Sequence, residues 1–211
     1  MKPARVLFLL GLTPLLFGAR LIESTTPEPI LAIEEDWEVT IGEPDLLACG
    51  PQLTTTMSPV GNTEVQSMSF NLNYREDPFR TGGTQLRSWE DGTLVAEKNH
   101  RLNQLATSGE QIAWTQRMEL AAGVLSYQIK NGQSTTWGVF GNGDPEVKVA
   151  STSGLSSLAA YTPVESIKNS GSGWQSNRVA SMKLVRIRYY TASGLDHEDV
   201  TEKVVIPNAA P

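Results

Sequence analysis

The stretch SMSFNLNY, residues 67–74, alternates polar and apolar side chains. The stretch QIAWTQRMEL, residues 111–120, is amphipathic with a period close to two as well. Successive side chains of a β-strand point to opposite faces, so each stretch can bury one face and expose the other. The sequence therefore predicts strands that each cover one side of a core, as in antiparallel sheets with one solvated face.

Further alternating stretches follow along the chain and are separated by turn residues. The first predicted strand runs from Ile33 to Ile41. Three segments are predicted hairpin turns because glycine adopts positive φ at low cost: Asp91-Gly92, Ala121-Ala122-Gly123 and Asn131-Gly132. In residues 178–190 the apolar positions change phase after Leu184, which predicts a β-bulge. About ten short strands joined in this way predict an all-β fold, a two-sheet antiparallel jelly-roll sandwich.

The N-terminal 19 residues carry Lys2 and Arg5 ahead of an apolar run that ends at Ala19. The run is short for a membrane span, so it is a predicted secretory signal peptide, with an uncleaved anchor as the alternative. Residues 20–32 are a predicted extended tether, residues 33–206 a single β-sandwich domain, and residues 207–211 a C-terminal tail. Within the domain, residues 151–175 are a predicted long connection with a helical turn at 155–160.

Charge and cysteine content narrow the function classes. Loss of residues 1–19 removes two positive charges from a formal net charge of −6, leaving −8. An acidic chain without a stripe of Lys and Arg is a poor nucleic-acid binder. Cys49 is the only cysteine, so the core must hold the fold without an internal disulfide. The predicted location is secreted, periplasmic or cell-surface, with membrane contact only through an uncleaved N-terminal segment.

Two neighbouring stretches carry a resemblance to known folds. Residues 112–120 (IAWTQRMEL) and 123–133 (GVLSYQIKNGQ) resemble the paired strands of concanavalin-type lectin and glucanase sandwiches, including laminin G-like modules. Those modules show a Trp-containing strand, a glycine turn, an L-x-Y-x-I/V strand and an Asn-Gly turn. The whole chain also resembles an uncharacterised family of secreted bacterial proteins. The resemblance implies a concanavalin-like sandwich and leaves the activity open.

The first predicted strand projects three carboxylates from one face: Glu34, Asp36 and Glu38. The pattern resembles the E-x-D-x-E strand of laminarinase-type glycoside hydrolases, and retaining glycosidases use two carboxyl groups about 5 to 5.5 Å apart. The resemblance implies Glu34 as nucleophile, Asp36 as supporting carboxylate and Glu38 as acid/base. Glu35, however, stands where that family has an apolar residue. The alternative is a solvated acidic edge strand that discourages aggregation.

A second set of side chains suits sugar binding without hydrolysis. A flat aromatic ring can cover the apolar face of a sugar, and planar polar side chains can bond its hydroxyls. The predicted ligand-binding residues have this chemistry: Asn71, Asn73, Gln85, Arg87, Trp89 and Arg117. Trp37, Trp114 and Trp137 are predicted core residues. An ordinary wet sheet face is the alternative for the polar set.

No cofactor and no transition-metal site are predicted, because His100 and His197 have no nearby cysteine or second histidine. Asn142, Asp144 and Glu146 offer oxygen ligands for a structural calcium ion, but they lack EF-hand-like spacing, and a turn followed by a solvated strand is the favoured interpretation. The leading prediction is a secreted, non-enzymatic β-sandwich that binds glycans or cell-envelope polymers. The alternatives are a glycoside hydrolase and a purely structural envelope protein.

Overall fold

The computed structural model describes residues 27–74, 82–142 and 148–206. The predicted signal peptide, the C-terminal tail, part of the tether, and Asp144 and Glu146 lie outside these ranges. The described strands are β1 (Ala32–Ile41), β2 (Gln52–Met57), β3 (Gln66–Leu72), β4 (Gly83–Glu90), β5 (Thr93–Arg101), β6 (Gln111–Ala121), β7 (Val124–Ser134), β8 (Gly138–Phe140), β9 (Lys148–Thr152), β10 (Gly171–Trp174), β11 (Val179–Thr191), β12 (Gly194–Asp199) and β13 (Lys203–Ile206). One α-helix, α1, spans Pro163–Lys168, and a 3-10 turn spans Ser176–Arg178.

These strands form two antiparallel sheets. The eight-stranded sheet has the order β12-β11-β1-β6-β7-β8, with β13 also paired to β11 and β9 also paired to β7. The five-stranded sheet has the order β10-β2-β3-β4-β5. The predicted all-β fold of two antiparallel sheets is therefore confirmed. Its finer jelly-roll, concanavalin-like topology stays a prediction.

The apolar members of the alternating stretches meet between the two sheets. Trp37 of β1 stacks on Trp114 of β6, with ring centroids 6.3 Å apart. Phe70 of β3 meets Trp114 edge-on from the other sheet at 5.8 Å. All three rings are buried. Trp37 and Trp114 are core residues as predicted, whereas Trp137 is partly exposed and donates its indole N–H to the Asn103 carbonyl.

Two predicted hairpin turns are confirmed and a third is wrong. Asp91-Gly92 joins β4 to β5, and Ala122-Gly123 joins β6 to β7, with positive φ at all four residues. Asn131-Gly132 lies inside β7 instead, where two residues oppose Trp114 and the pairing with β6 shifts. A Cβ at position 132 would lie 2.4 Å from the Phe140 ring, so glycine here permits the close approach of β8 rather than a chain reversal.

The long connection contains a helix, but later in the chain than predicted. No helix forms at 155–160; α1 begins at Pro163 after the N-cap Thr162, whose side chain accepts a bond from the Val164 N–H. A proline at the start of a helix and a threonine cap are favourable there. Further along, β10 pairs with β2, so the connection contributes an edge strand to the five-stranded sheet.

The predicted bulge in β11 is confirmed. Leu184 pairs with Trp37 and Arg186 pairs with Asp36, so Val185 is an extra residue in β11. Leu184 and Ile187 are therefore both buried, although they are an odd number of positions apart. The bulge keeps Arg186 and Arg188 on the outer face of the eight-stranded sheet.

We expect the Phe70→Ala variant to lose about 3 to 5 kcal/mol of unfolding free energy, because it leaves a cavity between the sheets next to Trp114. Urea denaturation followed by Trp fluorescence measures the loss. Val139→Ala is the control, since Val139 is 71% exposed, and we expect a change within about 0.5 kcal/mol. Equal effects of the two substitutions would contradict the placement of the core.

Candidate functional site

The three predicted carboxylates lie on the outer face of the eight-stranded sheet. Ile33 and Trp37 of β1 face the core, and the alternation turns Glu34, Asp36 and Glu38 outward. β1 pairs with β11 on one side and with β6 on the other. The edge-strand alternative is therefore wrong, because β1 is an interior strand whose backbone groups are paired on both sides.

Glu34 is held by three cations and one hydroxyl. Its carboxylate lies 3.0 Å from Arg117 Nη1, 2.9 Å from Lys130 Nζ and 3.0 Å from Arg188 Nη2. The Tyr190 hydroxyl donates to it at 2.8 Å. Burial alone would raise the pKa of Glu34, but the hydrogen bonds from Lys130, Tyr190 and Arg117 outweigh it and lower the pKa to about 2. The group is therefore ionised at any physiological pH.

Asp36 lies two residues after Glu34 on the same face of β1 and is also held by cations. Arg186 Nε and Nη2 both lie 2.7 Å from Asp36 Oδ2, and Arg188 Nη2 lies 2.8 Å from Oδ1. Thr115 of β6 donates to Oδ1 at 2.7 Å. Arg188 thus joins the two carboxylates. We call these six charged residues the ion-pair cluster: Glu34, Asp36, Arg117, Lys130, Arg186 and Arg188.

Three shallow depressions follow one line across this outer face. The first, of about 620 Å³, lies over Glu38, Thr40 and their β6 and β7 neighbours. The second, of about 490 Å³, shares Glu38 and Ala113 with the first and continues over Asp36. The third, of about 500 Å³, lies over Ala32 and beside Tyr190. The third depression shares no lining residue with the other two. All three lie along β1 between positions 32 and 40, over which a strand rises about 26 Å, and we call this line of depressions the long groove.

Most of the predicted sugar-binding residues meet on the outer face of the other sheet. Thr54 donates to Asn71 Oδ1 at 2.6 Å, and Asn71 Nδ2 donates to Gln85 Oε1 at 2.8 Å. Gln85 Nε2 donates in turn to Glu97 Oε1 at 3.2 Å. We call this cross-strand row the polar ladder. Gln85 is nevertheless fully buried by its neighbours. It therefore links Asn71 to Glu97 by hydrogen bonds and has no exposed surface for a ligand.

Arg87 and Trp89 lie on the same outer face, and each is partly exposed. Asn73 does not join them. It is fully buried, donates to the Cys49 and Pro51 carbonyls and accepts from the Leu105 N–H. Arg117 lies on the opposite side of the molecule, in the ion-pair cluster. The structure therefore divides the predicted set among two faces and one buried loop contact.

A buried carboxylate in the core was missed by the sequence-based prediction of the site. Glu35 is fully buried and accepts a bond from the Trp37 indole N–H at 2.9 Å. Gln116 and the Tyr161 hydroxyl also donate to it. Burial raises the pKa of Glu35, and the hydrogen bonds oppose this only in part. The sequence does indicate this burial, because position 35 lies on the same side of the strand as the apolar residues Ile33 and Trp37.

Gln116 carries this network to the second sheet. Its Oε1 accepts from Thr55 of β2 at 2.7 Å and from the Tyr127 hydroxyl at 2.7 Å. Thr55, Gln116 and Tyr127 are fully buried. Each of these polar groups has a partner, which is what makes a polar core tolerable. The network closes off from solvent and is structural in character.

Within residues 27–74, 82–142 and 148–206, no group of three or more His, Cys, Asp or Glu side chains is placed to hold a metal ion. Asn142 Oδ1 accepts from the Asn131 N–H at 2.8 Å, while its predicted calcium partners lie outside those ranges. Among helices of the described segments, none has the length and apolar character needed to cross a bilayer.

Comparison with models of known protein families and with curated proteins yields no match for this chain.

We expect Glu34→Gln to destabilise the protein by about 3 kcal/mol at pH 7, because it leaves half-buried cations without their carboxylate. The folded pKa of about 2 lies below the ordinary value of 4.5. Stabilisation by ionised Glu34 is therefore complete above about pH 4.5 and is lost as the pH falls through 2. Urea denaturation at several pH values measures it, and the wild-type advantage should shrink in acid. Glu38→Gln, an exposed carboxylate on the same strand, should change little.

Glu35 should show the opposite pH dependence. Because its folded pKa is raised above 4.5, the stabilisation that neutral Glu35 gives is complete below that pH and is lost as the pH rises through the folded pKa. In Glu35→Gln the amide can keep the Trp37 and Gln116 bonds through its oxygen and carries no charge. We expect its stability relative to wild type to rise between pH 4.5 and pH 8. A difference in unfolding free energy that does not vary with pH would contradict the assignment.

Proposed function

We propose that this protein is a non-enzymatic binding protein that holds a carbohydrate chain or a similar cell-envelope polymer in the long groove. The observation that carries the proposal is the alignment of three depressions along β1 and β6. An extended groove of about 26 Å suits a linear polymer better than a compact small molecule. The predicted secretory N-terminus supports a ligand outside the cytoplasm.

The floor of the groove suits a chain of hydroxyl groups. It presents side chains that both donate and accept, among them Thr40, Gln111 and Gln133 in the first depression. The aromatic side chain of Tyr190 borders the third depression and is itself fixed by Arg117, whose Cζ lies 5.1 Å from the ring centroid. A sugar polymer offers donors, acceptors and apolar ring faces, which match these groups.

Charge balance favours an uncharged ligand. Four cations, Arg117, Lys130, Arg186 and Arg188, form ion pairs with three carboxylates on this face: Glu34, Asp36 and Glu119. The exposed Glu38 of the same strand adds a fourth negative charge. With these charges compensated, the groove has no strong preference for a polyanion or a polycation. The ion pairs also hold the floor in one arrangement before binding, which lowers the entropy lost when a ligand is bound.

Glycoside hydrolysis by Glu34, Asp36 and Glu38 is the second candidate, because these carboxylates share one face of an interior strand, Asp36 and Glu38 line the depressions, and Tyr190 bonds Glu34. The geometry supports it less well. Three cations stabilise the charge of Glu34, and a carboxylate with a pKa of about 2 is a weak nucleophile. A relation to concanavalin-type sandwiches would be compatible with either activity and is itself part of the proposal.

The test is binding to a panel of neutral polysaccharides, including β-glucans, xylan and chitin, measured by sedimentation and calorimetry. We expect Ala113→Trp to weaken binding about tenfold or more, because residue 113 is shared by two depressions and the indole would block them. Val164→Trp, at a residue 68% exposed on α1, is the control. Undiminished binding by Ala113→Trp, or no binding to any polymer, would refute the proposal. Release of reducing ends that Glu38→Gln abolishes would establish hydrolysis instead.

A further inference from the structure

We infer that the outer face of the five-stranded sheet carries a second sugar site, built on Arg87 and Trp89, and that one molecule therefore joins two glycan chains. The site itself is independent of the long groove. The joining of two chains rests on the proposed function, since it needs a ligand on each face.

Arg87 lies between two aromatic rings. Its guanidinium carbon is 5.9 Å from the Tyr74 ring centroid and 5.7 Å from the Trp89 ring centroid. Its Nε donates to Glu97 Oε2 at 3.2 Å. Within the described residues its terminal N–H groups have no hydrogen-bond partner, and the side chain is 30% exposed. The terminal N–H groups are therefore the donors that the inferred site would offer to a ligand.

The polar ladder fixes this guanidinium. Glu97 accepts from Gln85 at 3.2 Å and from Asn99 at 2.5 Å, so its carboxylate is held before it binds Arg87. Gln85 is in turn held by Asn71 at 2.8 Å. An exposed arginine on a bare surface would lose rotamer freedom on binding, whereas this one has already lost it. The ladder thus acts as support for a binding group.

The neighbours of the two residues are small. Arg87 pairs across the sheet with Ser69, and Trp89 pairs with Ser67. Directly opposed side chains on one sheet face are the ones that would cover each other. Serine does not cover the Trp89 ring or the guanidinium from the β3 side, and Arg87 lies over one face of that ring. The platform that we infer is the other face of the ring beside the terminal N–H groups of Arg87.

This combination suits a neutral hexopyranose. Its apolar face can lie on the Trp89 ring, and two adjacent hydroxyls can accept from the Arg87 terminal N–H groups. Glu97 Oε2 lies 3.2 Å from Arg87 Nε and balances its charge, so a sugar carboxylate bound to the guanidinium would be repelled by Glu97. We therefore assign a neutral sugar to the site and expect a uronate to bind less tightly.

The two faces cannot serve one short ligand. The outer faces of the two sheets point away from each other, with the aromatic core of Phe70 and Trp114 between them. Stacked sheets are separated by about 10 Å before the outer side chains are counted. A ligand on the Arg87 platform and a ligand in the long groove are therefore separate chains or distant parts of one long chain.

Titration of the full chain with methyl glycosides of glucose, galactose, mannose and N-acetylglucosamine tests the site, with methyl glucuronide as the charged comparison. Calorimetry measures the affinity of each variant, and the Trp89 indole N–H resonance in two-dimensional NMR of the wild type reports that binding occurs at Trp89. We expect Trp89→Ala to weaken binding about tenfold, Trp89→Phe to retain most of it, and Val164→Trp, at an exposed residue of α1, to leave it unchanged. No glycoside response that depends on Trp89, or tighter binding of the glucuronide, would overturn the inference.

Precipitation of a soluble polysaccharide tests the joining of two chains. Wild type should precipitate a polymer that it binds, and Trp89→Ala should still bind that polymer through the groove without precipitating it. Precipitation by Trp89→Ala equal to wild type would overturn the joining. If Ala113→Trp instead binds the polymer as wild type does, the proposed groove function fails while the Arg87 site stands.

Discussion

The structure depends on the position of β1 inside the eight-stranded sheet, where β11 pairs with one of its edges and β6 with the other. Alternation sends Glu35 into the core and Glu34 to the outer face, only one residue apart. The two carboxyls then experience opposite environments. Three cations stabilise the charge of Glu34, whereas neutral donors and full burial favour the uncharged form of Glu35. One strand thereby organises a charged surface on one side and an uncharged polar core on the other.

The cost of desolvation explains why Glu34 is surrounded by cations and Glu35 by neutral hydrogen-bond donors. A cation placed beside Glu35 would itself have to be buried, and the loss of its hydration would offset much of the attraction. Amide, indole and hydroxyl donors satisfy the carboxyl without that cost. On the outer face the arginine and lysine side chains keep part of their surface in water, so four of them can converge on Glu34 and Asp36. A binding surface rich in charge is consequently compatible with a stable sheet.

The strands were predictable because burial of one face imposes a local pattern, as in residues 67–74 and in β1. Strand order was not predictable, since nothing local tells β1 that it pairs with β11, about 150 residues later in the chain. For the same reason the cations that surround Glu34 were not identified. Asn131-Gly132 has the residues of a tight turn but forms a bulge, because β7 continues and β8 packs against the glycine. Local preference was overruled there by tertiary packing.

The bulge at Val185 adds one residue to β11 relative to the segment of β1 that it faces, and a second register shift at Ala180 adds another. Because Leu184 already points inward and Arg186 outward, the intervening residue could be omitted without exchanging the two faces. Omission of a residue between Ile33 and Asp36, or between Arg186 and Arg188, would instead turn charged side chains toward the core and apolar side chains toward water. A deletion is therefore compatible with the two faces of this strand pair at Val185, at a bulge, whereas along the regularly paired positions only changes of residue type keep each side chain on its face.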